Sequence, residues 1–180
     1  MAKAELTPIA ERSVSEIEWS NWSAVHRATL LFVIQGDDIL LIRKKTGLGE
    51  GKINGPGGKV DPGETAEACA IRECQEELHI TPIGPELCGR HLFQFIDGYS
   101  IDVSVFKTDR YEGTPTETVE AEPIWFKLKD IPYQEMWADD ELWLPLLLAN
   151  EPFVGWYVFD DDAMLDHRLI SGEAAQSHWA

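Results

Sequence analysis

Residues 58–80 are the part of the chain that most constrains its fold and its chemistry. They begin with glycine, contain Asp-Pro-Gly at 61–63, and then run to Leu78 without another glycine or proline. Asp-Pro-Gly is a turn signal, and Thr65 is a residue type that caps helix N-termini. The segment therefore predicts a glycine-rich loop, a turn and a helix over 65–78.

Three glutamates share one face of this predicted helix. Glu73, Glu76 and Glu77 stand at i, i+3 and i+4, where neighbouring carboxylates repel one another by a few tenths of a kcal/mol per pair. A cation between them removes that cost, and hard oxygen ligands suit magnesium, with manganese as the alternative. An acidic helix face in contact with solvent would have the same pattern. The apolar residues that should instead pack on a sheet are Ile71, Cys74 and Leu78.

The residues around the glutamates resemble the signature motif of the Nudix hydrolase family. That motif is glycine, five residues, glutamate, seven residues and Arg-Glu-x-x-Glu-Glu, with a glycine two positions later. Six positions match in register: Gly58, Glu64, Arg72, Glu73, Glu76 and Glu77. Such a match arises by chance about once in ten million start positions. Two positions differ, since His79 replaces the helix-ending glycine and Cys74 replaces a larger aliphatic residue.

The resemblance implies an α+β fold with a mixed β-sheet in an α/β/α sandwich. It also implies hydrolysis of a nucleoside diphosphate linked to another group, with metal ions activating the attacking water. Glu73 and Glu77 would bind the metal, and Glu76 would be a further ligand or the base. Arg72 would orient a glutamate of the motif, and Glu64 would support the loop. The remaining metal-site residues implied are a backbone carbonyl of Gly57 or Gly58 and the carboxylate of Glu120.

The resemblance extends from about His26 to about Ile170 and is greatest to MutT-like members of the family. Those members hydrolyse oxidised purine nucleoside triphosphates such as 8-oxo-dGTP. By position, Trp137 should stack on the base, and Asp139 and Asp140 should bind its hydrogen-bonding edge. Leu48 and Pro56 depart from the aromatic residues of those members. The other residues expected to contact the nucleotide are Thr29, Lys44, Asn54, Lys59, Phe93 and Phe95.

Two features of this assignment have ordinary structural alternatives. An aspartate just before a helix, such as Asp139, is usually an N-cap, although two beside a tryptophan also fit a purine site. Asn54 is equally compatible with an ordinary loop position. The family resemblance is also compatible with a different substrate, either a dinucleoside polyphosphate or a nucleotide sugar. A nucleotide-binding module without catalysis is the remaining alternative.

The net charge of −17 argues against nucleic acid as a partner, because binding it requires clustered basic residues. A polyphosphate could approach through a local basic patch, expected at Arg43, Lys44, Lys45, Lys52 and Lys59. No apolar run reaches the roughly 18 residues of a membrane span. Residues 1–20 do not resemble a secretory signal. We therefore expect a cytoplasmic monomer that binds a small nucleotide.

The remaining pattern predicts one domain with two flanking segments. We expect an N-terminal extension over 1–25, docked by Trp19 and Trp22, the domain over 26–170 and a frayed tail over 171–180. The pattern of apolar residues predicts a hairpin over 27–45 and a second helix over 141–150. Pro145 should lie in the first turn of that helix or kink it. Cys69, Cys74 and Cys88 should be free thiols. Further strands are expected at 91–96, 99–107, 122–127 and 153–159.

Overall fold

A computed structural model describes residues 5–180, so the first four residues of the expected extension lie outside the described range. The strands are β1 (His26–Gln35), β2 (Asp38–Lys44), β3 (Ile53–Asn54), β4 (Ile80–Ile83), β5 (Glu86–Phe95), β6 (Ser100–Thr108), β7 (Arg110–Gly113), β8 (Ala121–Lys127), β9 (Phe153–Asp160) and β10 (Ala163–Ser171). The helices are α1 (Ala66–Leu78), α2 (Asp140–Leu148) and α3 (Glu173–Gln176).

The main sheet has eight strands within residues 5–180, in the order β10-β9-β5-β6-β1-β2-β3, with β8 on the other edge of β2. It is mixed, because β1 pairs with β6 and β5 pairs with β9 in parallel, whereas the other pairs are antiparallel. The predicted hairpin is confirmed as β1 and β2, with Ile34 opposite Ile39. Strands β4 and β7, which the sequence pattern did not predict, form a separate pair.

Helices cover both faces of the sheet, which confirms the predicted sandwich. Ala70, Cys74 and Leu78 of α1 pack on one face, against alternate residues of β1 and β2. Trp143, Leu144 and Leu147 of α2 pack on the other face, within a larger apolar cluster. The expectation for Ile71 was wrong: it is half-buried and outside these clusters, and Ala70 takes the place expected for it.

Helix α1 begins and ends as its capping residues dictate. Thr65 is the N-cap, and its hydroxyl accepts the Ala68 amide at 3.1 Å. The helix ends at His79, which has φ 59° and ψ 31° and donates its backbone N–H to the carbonyls of Cys74 and Gln75. A non-glycine residue in this left-handed conformation is strained, because its Cβ crowds the backbone.

Replacing His79 with glycine is therefore expected to stabilise the protein by up to about 1 kcal/mol. The His79 side chain is exposed and does not line the cavity described below, so kcat should not change. Urea denaturation of both proteins measures the difference. A loss of stability in the variant, or a fall in kcat/KM, would show that the imidazole makes a contact that glycine cannot replace.

The two terminal segments pack on the domain. Trp19 and Trp22 dock the extension, as predicted, in an apolar cluster with Leu92, Val154 and Trp156. The prediction of a frayed tail was wrong. Within the tail, α3 buries Ala175, and the Trp179 indole donates to the Phe153 carbonyl at 2.9 Å.

Three smaller expectations have clear outcomes. Pro145 lies inside α2 but beyond its first turn, because the helix begins at Asp140. The cysteines are free thiols: Cys69 and Cys74 are buried and Cys88 is half-buried. Across residues 5–180, no helix has the length and apolar character needed to cross a membrane.

Candidate active site

A cavity of about 430 Å3 opens between the glycine-rich loop, α1 and the start of α2. It has two polar ends. The glutamate end is formed by Glu73, Glu77 and Glu120, and the aspartate end by Asp139 and Asp140. The other residues expected at the site that line it are Thr29, Lys44, Asn54, Gly57, Gly58, Lys59, Phe93, Phe95 and Trp137.

The glycines of the loop let its backbone approach α1 and β1 closely. A Cβ on Gly58 would lie 2.3 Å from the Glu73 carboxylate, and one on Gly57 would lie 1.9 Å from the Thr29 carbonyl oxygen. Only glycine fits both places without moving the backbone or the carboxylate. The Gly58 carbonyl accepts the Thr29 amide at 2.9 Å, which fastens the loop to β1.

Glu77 is the most buried carboxylate of the glutamate end, with 4% of its surface exposed. Burial raises its pKa to about 8, although the Lys44 ammonium opposes the shift. Burial also raises the pKa of Glu73, against hydrogen bonds from Arg72. The Oε2 atom of Glu77 is buried and has no hydrogen-bond partner among the described residues. A buried carboxylate oxygen without a donor is costly, so this end of the cavity is suited to a cation.

Arg72 links the glutamates of the helix to the preceding loop. Its guanidinium donates to Glu64 at 2.8 and 3.1 Å, to Glu73 at 2.8 Å and to Glu76 at 3.0 Å. The pKa of Glu64 falls to about 2, chiefly through the hydrogen bonds from Arg72. Glu64 also accepts the Asp61 amide at 3.0 Å, which holds the turn. These contacts are compatible with the positioning roles expected of Arg72 and Glu64, which stay predictions.

Glu76 differs from its two neighbours in position. Its side chain is half exposed, and it does not line the cavity. Within residues 5–180, no three His, Cys, Asp or Glu side chains converge closely enough to enclose a metal ion. One guanidinium nitrogen of Arg72, Nη1, donates hydrogen bonds to both Glu73 Oε1 and Glu76 Oε2.

The basic patch expected from the sequence divides into two parts. Arg43, Lys45 and Lys52 form ion pairs with Glu135, Glu117 and Asp162 respectively. Only Lys44 and Lys59 of the five line the cavity, both beside the glycine-rich loop. Lys44 acts at the glutamate end, where its charge lowers the pKa of Glu77, whereas the Lys52 charge lowers the pKa of Asp140 at the aspartate end.

The two aspartates of the opposite end are almost completely buried, with 2% and 3% of their surfaces exposed. Asp139 stands at the N-cap position of α2, but its side chain makes no capping hydrogen bond. Instead its Oδ2 accepts the Trp143 indole N–H at 2.9 Å. Burial raises the pKa of both aspartates, and the neighbouring Asp139 charge raises that of Asp140 further. Helix capping therefore does not explain this pair.

Aromatic rings line the cavity beside the aspartates. The Trp137 ring lies edge-on to Phe95 and Phe159, with centroid separations of 6.2 and 5.7 Å. The Lys52 ammonium lies 5.1 Å from the Trp137 ring centroid and covers it. Asn54 also lines the cavity, but its side-chain oxygen accepts the Gly55 amide and is already used.

Sequence analysis missed several residues of the cavity, above all His91, Trp143 and Phe159. His91 and Phe159 lie on strands and Trp143 on a helix, and in each case the residue type is ordinary for a core position. Alternation from Phe93 would have placed His91 on the same strand face, which is the one signal available. Four buried side-chain atoms have no hydrogen-bond partner in the described part of the chain, and all belong to residues lining this cavity: Glu77 Oε2, His91 Nε2, Asp139 Oδ1 and Asp140 Oδ2.

The chain is 44% identical to the oxidized purine nucleoside triphosphate hydrolase of Danio rerio over 143 residues, which cover 78% of this chain and 92% of the relative. It is 42% identical to the protein of the same name from Mus musculus, with the same coverage. The crystal structure of a MutT protein from Bacillus halodurans superimposes with a TM-score of 0.73 at 28% identity, covering 81% of this chain and 97% of that one.

The chain also matches the model of a protein domain family. A family model described as the NUDIX domain matches residues 24–147, which include the glycine-rich loop, α1 and both ends of the cavity. The chain belongs to the Nudix family.

Proposed function

We propose that this protein hydrolyses oxidised purine nucleoside triphosphates such as 8-oxo-dGTP to the monophosphate and pyrophosphate, and so removes them from the nucleotide pool. One observation carries the proposal: buried, unpartnered carboxylate oxygens lie at both ends of one cavity, on Glu77 and on the aspartate pair. The names of the relatives from Danio rerio and Mus musculus support the same activity. We also propose that the protein is a cytoplasmic monomer that binds a free nucleotide.

Nudix hydrolases generally use divalent metal ions, and the glutamate end fits such an ion. Its donors are hard carboxylate oxygens, and Glu77 Oε2 has no competing hydrogen bond. The Gly58 carbonyl already accepts the Thr29 amide, so Gly57 is the better backbone ligand. We propose Mg2+, with Mn2+ as a substitute, held by Glu73 and Glu77 and joined by Glu120, whose carboxylate would move towards the ion because the three do not converge without it. Glu76 would be a further ligand or the base only after its carboxylate leaves Arg72 and turns into the cavity.

The metal would supply a water of lowered pKa and would neutralise charge on the phosphates. The chain's own groups orient the reactants. Lys44 and Lys59 attract the polyphosphate to the glutamate end, where Arg72 fixes the Glu73 carboxylate. Because burial disfavours the charged form of Glu77, a bound cation would favour that form, and metal binding would thereby stabilise the carboxylate that holds the metal.

At the aspartate end, the proposed ligand is the base. Trp137 would stack on the base with the ring face that Lys52 does not cover, and Thr29, Asn54, Phe93 and Phe95 also line the cavity. Asp139 and Asp140 each keep one oxygen without a partner, which leaves hydrogen-bonding capacity for a purine edge. Burial favours a proton on one of the two carboxyls, so the pair can donate one hydrogen bond and accept another.

A nucleotide panel tests this function. The full chain is incubated with magnesium and each candidate substrate, and the products are separated and measured by chromatography, because dinucleoside polyphosphates and nucleotide sugars release no pyrophosphate when they are cleaved. We expect the highest kcat/KM for 8-oxo-dGTP or 2-hydroxy-dATP. A higher kcat/KM for a dinucleoside polyphosphate or a nucleotide sugar would assign the cavity to those substrates. If no nucleotide is hydrolysed, the protein is instead a nucleotide-binding module without catalysis.

A further inference from the structure

Four buried atoms of the cavity have no hydrogen-bond partner within residues 5–180; the proposed function uses three of them, and the fourth is His91 Nε2. His91 is on β5, two residues before Phe93, and none of its surface is exposed to solvent. It lines the cavity, as do Phe93, Val103 and Trp143. Burial lowers its pKa to about 3, so the imidazole is neutral at pH 7.

Tyr157 determines which nitrogen of this imidazole carries the proton. The Tyr157 hydroxyl lies 3.1 Å from His91 Nδ1, and no other side-chain partner of that hydroxyl occurs among the described residues. Burial raises the pKa of Tyr157, so its oxygen keeps its proton. The hydroxyl is assigned as the donor to Nδ1, because its hydrogen has no other side-chain acceptor among the described residues, and this assignment places the imidazole proton on Nε2. The unpartnered atom is thus an N–H donor.

The surrounding residues make room for this pair. A Cβ on Gly155 would lie 2.0 Å from the Tyr157 hydroxyl oxygen, so glycine at that position leaves the space that the hydroxyl fills. The imidazole packs against Trp143 at 4.6 Å and Phe153 at 5.2 Å between ring centroids. An apolar side chain would fill the same site without leaving a buried donor unpaired, so packing alone does not account for a histidine.

The pair is also connected to the aspartate end. Trp143, which contacts the imidazole, donates its indole N–H to Asp139. The charges of Asp139 and Asp140 contribute to the raised pKa of Tyr157, so the hydroxyl lies within their field. The Tyr157 ring stacks on Phe93 at 4.7 Å, and Phe93 lines the cavity.

We propose that His91, held by Tyr157, is a third base-recognition group, whose Nε2–H donates to an acceptor atom of the bound purine, directly or through one water. Two carboxyls provide mainly acceptors, and a neutral imidazole adds a donor that cannot lose its proton at neutral pH. His91 would therefore help to select among oxidised purines, which differ in where their acceptors lie. This inference rests on the proposed function.

Three variants test it in the full chain. His91→Leu removes the donor, His91→Gln can place an amide N–H near the position of Nε2, and Tyr157→Phe removes the group that fixes the tautomer. We expect His91→Leu to change the ratio of kcat/KM for 8-oxo-dGTP to that for 2-hydroxy-dATP by about three- to tenfold. His91→Gln should restore much of the wild-type ratio. His178→Leu, on the opposite face of the sheet beside Trp156, is the matched control and should leave the ratio unchanged.

Nitrogen-15 NMR of the imidazole provides a readout that is independent of turnover. We expect the Nε2–H tautomer in the free wild type, a shift of its Nε2 resonance when 8-oxo-dGMP is added, and loss of the single tautomer in Tyr157→Phe. An unchanged substrate ratio in His91→Leu, or an Nε2 resonance that 8-oxo-dGMP does not move, would overturn the inference while wild-type turnover of 8-oxo-dGTP still supports the function. If the wild type neither binds 8-oxo-dGMP nor hydrolyses either oxidised purine, the proposed function itself is wrong, and this inference with it.

Discussion

Replacing Glu77 with glutamine is expected to lower kcat at least about a hundredfold, which corresponds to about 3 kcal/mol of activation free energy. Glutamine keeps the size of the side chain and propagates a helix as well as glutamate does. It removes the negative charge that the proposed metal requires at the glutamate end of the cavity. Steady-state kinetics with 8-oxo-dGTP at saturating magnesium measure the effect.

The same variant should fold normally, because burial already disfavours the charged form of Glu77 in the metal-free protein. We expect its Tm without metal to lie within a few degrees of wild type, and the rise in Tm that magnesium gives the wild type to be lost. Glu67→Gln, an exposed position in the first turn of the same helix, is the matched control and should keep full activity. Retention of more than about a tenth of kcat in Glu77→Gln would remove Glu77 from the metal site.

The second large effect is expected at the aspartate end. The Watson–Crick edge of 8-oxoguanine has N–H donors beside the O6 acceptor, so two ionised carboxylates would leave O6 facing negative charge. Burial and mutual repulsion favour a proton on one carboxyl, which can then donate to O6 while the other accepts. Losing a hydrogen bond to a charged group costs about 1.5–3 kcal/mol. Asp139→Ala and Asp140→Ala should each lower kcat/KM for oxidised purine triphosphates roughly 10- to 150-fold.

A comparison of substrates separates recognition of the base from damage to α2. The values of kcat/KM for 8-oxo-dGTP, 2-hydroxy-dATP and dCTP should be measured in both variants, and dCTP should be affected far less. Glu141→Ala, at the exposed next position of α2, tests for a general effect of altering the helix start and should change none of the three. Equal losses on all three substrates in the aspartate variants would show that the pair has only a structural role.

The sequence was sufficient to predict Glu73 and Glu77 of the glutamate end, because they are close together along the chain, whereas Glu120 was expected only from the family resemblance. Helical spacing placed Glu73 and Glu77 on one face, and Thr65 and His79 marked the helix ends. Spacing could not show that Glu76 lies outside the cavity. That outcome depends on the tilt of α1 against the sheet and on the reach of Arg72 to the Glu76 carboxylate.

The strands and contacts that the sequence did not predict depend on pairing between residues that are far apart in the chain. Strands β4 and β7 are short and pair with each other across 26 intervening residues, and neither shows a strong alternation of apolar and polar residues. The hydrogen bond between His91 and Tyr157 joins residues 66 apart in the chain. Each of these residues alone has the properties of an ordinary core residue, and only the parallel pairing of β5 with β9 brings them together.

The most direct test of the proposed function is the identity of the products formed from 8-oxo-dGTP with magnesium. Chromatography of the full reaction should show one 8-oxo-dGMP and one pyrophosphate for each molecule consumed, with kcat/KM well above that for dCTP. That result would show that the two ends of the cavity act on the same nucleotide, phosphate at Glu73 and Glu77 and base at Asp139 and Asp140. Release of 8-oxo-dGDP and phosphate, or equal kcat/KM for 8-oxo-dGTP and dCTP, would contradict it.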